Sequence, residues 1–264
     1  MSEPKVVVIT GASAGIGAAL ATQLAKRGDT VVLAARREGE LKAVADRIGG
    51  KVLIVPTDVT RRGEVDRLRD RALAAFGHVD VWVNNAGRGI GRSVMDLTDE
   101  DFDAVMAVNV KSALYGMQAI VPHFIQRERG HLINVSSFLS RVPLASFRSV
   151  YSAAKASLNS LTANLRMDLA VEHPNVHVTL VMPGIVTTEF HKNAIGGTPP
   201  LPGVATGTPP RGIPAPQTAD EVATVIAGVI DQPVAEVYTN PHQAAIAQRY
   251  IQDVAAFERA QRQG

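Results

Sequence analysis

The sequence predicts an α/β fold, a doubly wound parallel sheet between two layers of helices, as a single domain spanning residues 1–264. Three observations predict it. Short runs rich in Val and Ile recur without the apolar–polar alternation of a half-wet strand. Segments with helical three- and four-residue spacing lie between them. The polar and glycine-rich residues follow successive runs, at what would be the carboxyl edge of such a sheet, where open α/β folds bind ligands. A chain of 264 residues is long enough for one such core, and no charged or Ser/Gly-rich linker divides it.

The first run, 6–9, leads into Thr10-Gly11-Ala12-Ser13-Ala14-Gly15-Ile16-Gly17 and then a helical segment. Glycines there let the backbone turn tightly and approach a pyrophosphate, which the next helix N-terminus attracts. The spacing is Gly-x3-Gly-x-Gly, not the common G-x-G-x-x-G. A glycine turn with no ligand is the plain alternative. Its place after the first strand favours a dinucleotide held by Gly11, Ser13, Ala14, Gly15, Ile16 and Gly17.

Run 31–34 ends in Ala35-Arg36-Arg37. An acidic residue near this place holds the ribose hydroxyls of NAD, whereas Arg accommodates the extra phosphate of NADP. Arg36 and Arg37 with no carboxylate beside them point to NADP(H); the alternative is two solvated charges opening a helix. After run 52–55, Asp58, with Val59 beside it, is placed to accept from an adenine amino group or else to cap a turn before Thr60. Run 79–83 ends in Asn84-Asn85-Ala86-Gly87, small and amide residues that let the chain pass close to a ribose.

A helix is expected from Thr98, where Thr98-Asp99-Glu100-Asp101 resembles a capping box. Its inward stripe reads Phe102, Val105, Met106, Asn109, Ala113 and Met117. An amide on an apolar stripe must find partners. Asn109 either bonds a helix carbonyl or holds a water that carries protons toward Lys155.

Run 132–135 ends in Ser136-Ser137. The following helix, 150–173, contains no Gly or Pro and stops before Pro174, with a stripe of Ala154, Leu158, Leu161, Leu165 and Leu169. Tyr151 and Lys155 share one face of it at i and i+4. A phenol has a reference pKa of about 10. A neighbouring ammonium brings it toward the working pH, and a hydroxyl such as Ser137 orients a substrate oxygen.

Run 176–181 ends in Pro183-Gly184-Ile185-Val186-Thr187-Thr188, where the Ile185 backbone and the Thr188 hydroxyl are placed to hold a nicotinamide carboxamide. Residues 196–216 hold five Gly and seven Pro with no apolar period. A loop this long in a compact domain suits a lid, about 188–216, closing over substrate. Residues 241–261 read as one helix on Ile246, Tyr250, Val254 and Phe257.

Several classes are excluded or disfavoured. Without cysteine there is no disulfide, thiolate catalysis or cysteine-bound metal. The seven His are dispersed, without metal-ligand spacing on one helix. There is no Gly-x-Ser-x-Gly elbow and no Walker-type phosphate loop. A formal charge of +2, from 27 basic and 25 acidic residues, gives no electrostatic ground for nucleic acid or membrane as the main partner. No apolar run approaches the ~20 residues that span a bilayer. A strand-like run begins almost at once, so a signal peptide is not expected and the cytoplasm is the default.

Taken together, Thr10-Gly-x3-Gly-x-Gly, Asn84-Asn-Ala-Gly, the helical Asn109, Ser137, Tyr151-x3-Lys155 and Pro183-Gly184 resemble the short-chain dehydrogenase/reductase family over about residues 6–238. The resemblance implies a Rossmann-type fold and carbonyl–alcohol interconversion. It implies Tyr151 as acid/base, Lys155 lowering its pKa and binding the ribose, Ser137 binding the reacting oxygen, and Asn109 in a proton relay. It also implies homodimers or homotetramers, with the helices near 98–127 and 150–173 as the usual interface. The loop 138–150 holds one residue more than is common between catalytic Ser and Tyr, and Ser137 is chosen over Ser136 as the second of the pair.

Two other functions share the fold. A non-catalytic NADP(H) sensor or scaffold would lack one of Tyr, Lys or Ser, and all are present. An activity like that of 3-oxoacyl-carrier-protein reductases would use the arginines of the substrate side, Arg88, Arg92, Arg141 and Arg148, for an acidic carrier. The same arginines select an anionic group in a small carbonyl compound, or are solvated surface.

Overall fold

The computed structural model describes residues 3–197 and 215–262. In chain order these form β1 (Val6–Thr10), α1 (Gly15–Lys26), β2 (Thr30–Ala35), α2 (Glu38–Ile48), β3 (Val52–Pro56), α3 (Arg62–Phe76) and β4 (Val81–Asn84). Then come α4 (Asp99–Met106), a π turn (Ala107–Lys111), α5 (Ser112–Gln126), β5 (Gly130–Val135), α6 (Ser149–Leu169), β6 (Val176–Met182) and the short β7 (Val186–Thr187). The rest is β8 (Gln217–Thr218), α7 (Ala219–Asp231), β9 (Glu236–Tyr238), α8 (His242–Gln252) and α9 (Val254–Arg262).

Among the described residues, seven strands form one parallel sheet in the order β3-β2-β1-β4-β5-β6-β9. Helices cover both faces, which is the doubly wound Rossmann-type arrangement. The order reverses between β1 and β4, the switch point where such sheets take their ligands.

The pleat explains why the strands are mostly apolar. Val7, Ile9, Val31 and Leu33 enter one core, with α1 and α7, while Val6, Val8, Val32 and Ala34 enter the other, with α3 and α5. Both faces are dry, so apolar side chains dominate, and the few polar ones, such as Asn84, Asn134, His131 and Thr179, are hydrogen-bonded. Each fully buried Val or Leu contributes about 1.5–3 kcal/mol, which holds the register.

Several expectations are corrected. The helix expected over 150–173 ends at Leu169 and is followed by a turn. The helix from Thr98 is capped as expected, Thr98 Oγ1 accepting from Asp101 N at 3.2 Å, but the π turn interrupts it at Asn109. Phe102, placed on the inward stripe, is 46% exposed. The segment 241–261 is two helices, because Asp253 is extended (φ −153°, ψ 92°) and accepts from Ala256 N to start α9. The edge strand β9 was not foreseen. Most of the expected lid, residues 198–214, lies outside the described residues. The stretch Asp99–Gln126 is long and apolar enough to cross a membrane by length and composition, with mean hydropathy 1.3, although the runs within it fell short of that in the sequence. As α4, the π turn and α5 it packs into the core, with 56% of that window buried.

Candidate active site

The glycine turn is shaped by close approach. Gly11 (φ +66°) and Gly15 (φ +54°) occupy left-handed backbone that favours glycine. A Cβ on Gly17 would lie 2.5 Å from Gly11 O and 2.7 Å from Asn85 Nδ2, and one on Gly11 would lie 2.9 Å from Ala86 Cα. The turn is therefore locked against Asn85-Ala86. Thr10 completes the lock, its Oγ1 accepting from Asn85 N (3.0 Å) and Ala86 N (3.1 Å). Asn84 turns inward instead, accepting from Trp82 Nε1 and donating to Asn134 Oδ1. The cap residue of α1, Ala14, offers no side chain to its first N–H groups, which suits an external anion.

At the far end of this groove Arg36 and Arg37 are both exposed. They are not equivalent, because Arg37 is paired with Glu40 at 2.5 Å. Asp58 Oδ1 accepts from Thr60 N (3.0 Å) and Oγ1 (2.7 Å), so it caps the turn. Burial raises the Asp58 pKa, but those bonds and the charges of Arg36 and Arg61 hold it below the usual value. Arg36 thus faces Asp58 and its neighbour Val59 across the carboxyl ends of β2 and β3.

The reacting groups gather past β5. Ser136 is buried and spoken for, donating to Asn159 Oδ1 at 2.6 Å. Ser137 is the serine against the phenol. Burial pushes the Tyr151 pKa up, while the hydrogen bond with Ser137 and the charge of Arg148 pull it down. Lys155 Nζ donates to Val135 O at 2.9 Å and stands 5.8 Å from the Tyr151 ring centre. Burial lowers Lys155 to about 8.

Asn109 sits in the π turn, a feature common at functional sites. Its Nδ2 donates to Val105 O and Arg88 O, both at 2.9 Å, and its Oδ1 accepts from Arg88 N. The bond to a helix carbonyl is therefore formed. Gly87 lies between Asn109 and Lys155, since a Cβ there would be 3.0 Å from Asn109 Oδ1 and 3.6 Å from Lys155 Nζ.

Beyond β6, Pro183 O accepts from Phe138 N at 2.7 Å, tying this turn to the strand end that carries Ser137. Ile185 O accepts from Gln217 N. A Cβ on Gly15 would touch Thr188 Cγ2 at 3.4 Å, so the last turn meets the first. Gly184 leaves room for the buried Gln243 of α8.

Two neighbours of the site, Phe190 and Gln243, escaped sequence reasoning, and Arg148 was named there only among four arginines of the substrate side. Arg148 is buried rather than solvated. Phe190 packs against Tyr151, ring centres 5.7 Å apart. Gln243 comes from a C-terminal helix with no motif of its own. The i, i+3 spacing of Arg148 and Tyr151 is the one signal that pointed to any of them.

A family model described as short chain dehydrogenase matches residues 5–196. An uncharacterized oxidoreductase of Staphylococcus aureus (strain N315) is 39% identical over 185 residues, 70% of this chain and 79% of that protein. A solved short chain dehydrogenase/reductase from Burkholderia phymatum, in complex with NAD, is 28% identical with a TM-score of 0.85, covering 96% of both chains. An alcohol dehydrogenase from the archaeon Thermococcus sibiricus, complexed with 5-hydroxy-NADP, is 27% identical with a TM-score of 0.76 over 89% of this chain and 96% of that one.

Proposed function

The chain belongs to the short-chain dehydrogenase family of oxidoreductases, and on that footing we propose that it interconverts a carbonyl and an alcohol with NADP(H), with Tyr151 as the acid/base. The observation that carries this reading is the placement of Ser137 where it lowers the pKa of the buried Tyr151 phenol, with Lys155 buried 5.8 Å from that ring and the glycine turn opposite. When bound, the nicotinamide supplies or accepts the hydride. Gly11 and residues 13–17 would hold the pyrophosphate. Asn85, Ala86, Gly87 and Lys155 would hold the nicotinamide ribose, and Gly184, Ile185 and Thr188 the carboxamide.

The remaining chemistry belongs to the protein. Ser137 orients the substrate oxygen through its hydroxyl. Tyr151 gives its phenolic proton to that oxygen in reduction and takes one back in oxidation. Asn109, fixed by Val105 and Arg88, shapes the wall beyond Lys155 through which the phenol is reprotonated. NADP is favoured by Arg36, exposed where the extra phosphate would lie, with Ala35 beside it in place of a carboxylate. A lid over about 188–216 would start at Thr188, which lies beside Gly15, and would end next to Gln217, whose N–H donates to Ile185 O.

A homodimer or homotetramer would cover Met167 (75% exposed) and Phe102 on the long helices and Val171 (88%) in the turn after α6. Light scattering is expected to give a dimer or tetramer mass; a monomer would remove this part. The function is tested by reduced-nicotinamide absorbance over a panel of aldehydes and ketones. Turnover with NADPH is expected. Tyr151→Phe should lose about 10²–10⁴-fold in kcat while its NADPH Kd stays within about 3-fold, and retained turnover would remove Tyr151 from the role.

A further inference from the structure

Helix α6 and its cap residue Arg148 reach the neighbouring chain through a row of polar side chains. Arg148 occupies space left by Gly89, where any Cβ would overlap its Nη1, and donates to Ile90 O at 3.1 Å. Lys155 donates to Val135 O at the end of β5. Asn159, one turn further along the face that carries Tyr151 and Lys155, is 7% exposed and uses both ends of its amide. Its Oδ1 accepts from Ser136 Oγ at 2.6 Å, and its Nδ2 donates to Ser140 Oγ at 2.7 Å. Ser140 Oγ passes the chain on by donating to Ser137 O. One amide of α6 thus holds the residue before Ser137 and, through Ser140, the carbonyl of Ser137 itself.

We propose that Asn159 is a positioning residue of this site, holding the Ser137 hydroxyl in register with the Tyr151 phenol. The inference rests on the oxidoreductase reading above. Ser137 and Tyr151 come from different elements, the end of β5 and the start of α6, so bonds between the two must fix their relative placement. On its other side the strand end is tied to β6 and the turn beyond it, Ser136 N donating to Val181 O and Phe138 N to Pro183 O, both at 2.7 Å. Those bonds do not reach the helix. Lys155 does, but its ammonium is the group assigned to the ribose, whereas Asn159 has no second duty. A buried network whose members are all hydrogen-bonded is stiff, and reacting groups lose rate steeply when shifted by about an ångström. The partners of Asn159 are Ser136 and Ser140, neither assigned to substrate or cofactor, so it acts through Ser137.

The test is a double-mutant cycle read by NADPH oxidation. The probe is the aldehyde or ketone of the panel that the wild type reduces fastest, the panel including benzaldehyde, acetophenone, cyclohexanone and ethyl acetoacetate. Asn159→Ala should lower kcat about 10-fold, with the NADPH Kd within about 3-fold. In a Ser137→Ala background the same substitution should cost less than about 2-fold, because the group it positions is gone. Ser140→Ala, which cuts the side-chain link to Ser137 O and leaves Ser136 held, should show the same pattern with about a 3-fold loss. The alkaline limb of the reduction, where the phenol loses its proton, gives a second reading. Burial raises the Tyr151 pKa and Ser137 pulls it down, so Asn159→Ala should move that limb to higher pH, as Ser137→Ala does. Equal losses in the two backgrounds, or a kcat within about 2-fold of wild type, would overturn the inference and leave the oxidoreductase reading standing. If Ser137→Ala has no measurable turnover, the limb decides, and an unmoved limb overturns the inference. Should Asn159→Ala not fold, Ser140→Ala decides by the same comparison. If no carbonyl compound is reduced with NADPH or NADH, the reading itself falls and the inference with it.

Discussion

Strand β5 has a buried base at each end, and the two edges of the sheet treat theirs differently. At the amino edge His131 Nε2 lies 2.8 Å from Thr179 Oγ1, which donates to Val234 O, so the ring nitrogen is the donor of the pair. Burial, with the charge of His177 behind it, pushes His131 down to about 3, and the ring stays neutral at any ordinary pH. At the carboxyl edge Lys155 donates to the carbonyl of Val135, the last residue of β5, and burial brings it only to about 8. The same desolvation removes one proton from play and leaves the other close to the pH at which acid–base chemistry runs. A cavity of about 480 Å³ also lies at the amino edge, lined by Lys5, His78, His131 and His177 among others, and by none of the residues proposed for the chemistry. Titration poised near neutrality, rather than the presence of a cavity, is what marks the carboxyl edge.

Lys155→Met is the largest test of that contrast. Activity should fall by about 10²–10³-fold, yet stability at pH 7 should rise. The unfolded lysine keeps its proton up to about 10.5, whereas the folded one releases it near 8. Between those values the unfolded state holds more protons, so raising the pH favours the folded state; below 8 the full penalty applies, on the order of 3 kcal/mol. The lost bond to Val135 offsets about 1 kcal/mol of the gain. Thermal melts from pH 6 to 10.5 should show the variant's advantage shrinking above pH 8. A variant less stable than wild type by a constant margin would mean the ammonium is compensated, and the two edges would then be alike.

Arg36→Ala probes the exposed end of the same edge, where no burial acts. NADPH should bind about 10–100-fold more weakly and NADH within about 2-fold of wild type. Being solvent-exposed, the effect should shrink as salt is raised. Titration of cofactor fluorescence at two ionic strengths reads both. An equal loss for the two cofactors would remove the phosphate assignment.

What was legible in the sequence was what local chemistry determines. Strands dry on both faces have to be mostly apolar, so the six runs announced themselves. Gly11 and Gly17 stand where no Cβ fits, and Tyr151 and Lys155 share a face by helical spacing alone. What was hidden depends on partners distant in the chain. Glu236-Val237-Tyr238 is too short to show a pattern and becomes a strand only by pairing with β6. The π turn at Asn109 arises where its amide reaches back to Arg88, 21 residues earlier. Arg148 reads as surface until Gly89 is seen to have vacated its seat. Lys155 was expected beside Tyr151 and stands 5.8 Å from its ring centre, whereas the charge of Arg148 on the phenol was not foreseen.

His131→Gln gives the smallest effect and tests the quiet edge. The amide retains a donor for Thr179 but cannot titrate. In the wild type the unfolded histidine takes up a proton below about 6.5, while the folded one resists until about 3. Across that window the unfolded state holds more protons, and stability falls as the pH falls. From pH 6.5 to 5 this one group should cost the wild type about 1.5 kcal/mol that the variant is spared. Urea unfolding at the two pH values should therefore show the variant losing less stability than the wild type, while NADPH turnover at pH 7 stays within about 2-fold. Because every other titrating group is common to both proteins, the difference between the two losses isolates His131. An unchanged difference would mean that the ring takes up its proton as readily in the folded protein as in the unfolded one. The amino edge would then hold a live proton too, and poise near neutrality would no longer separate the edge that works from the edge that only packs.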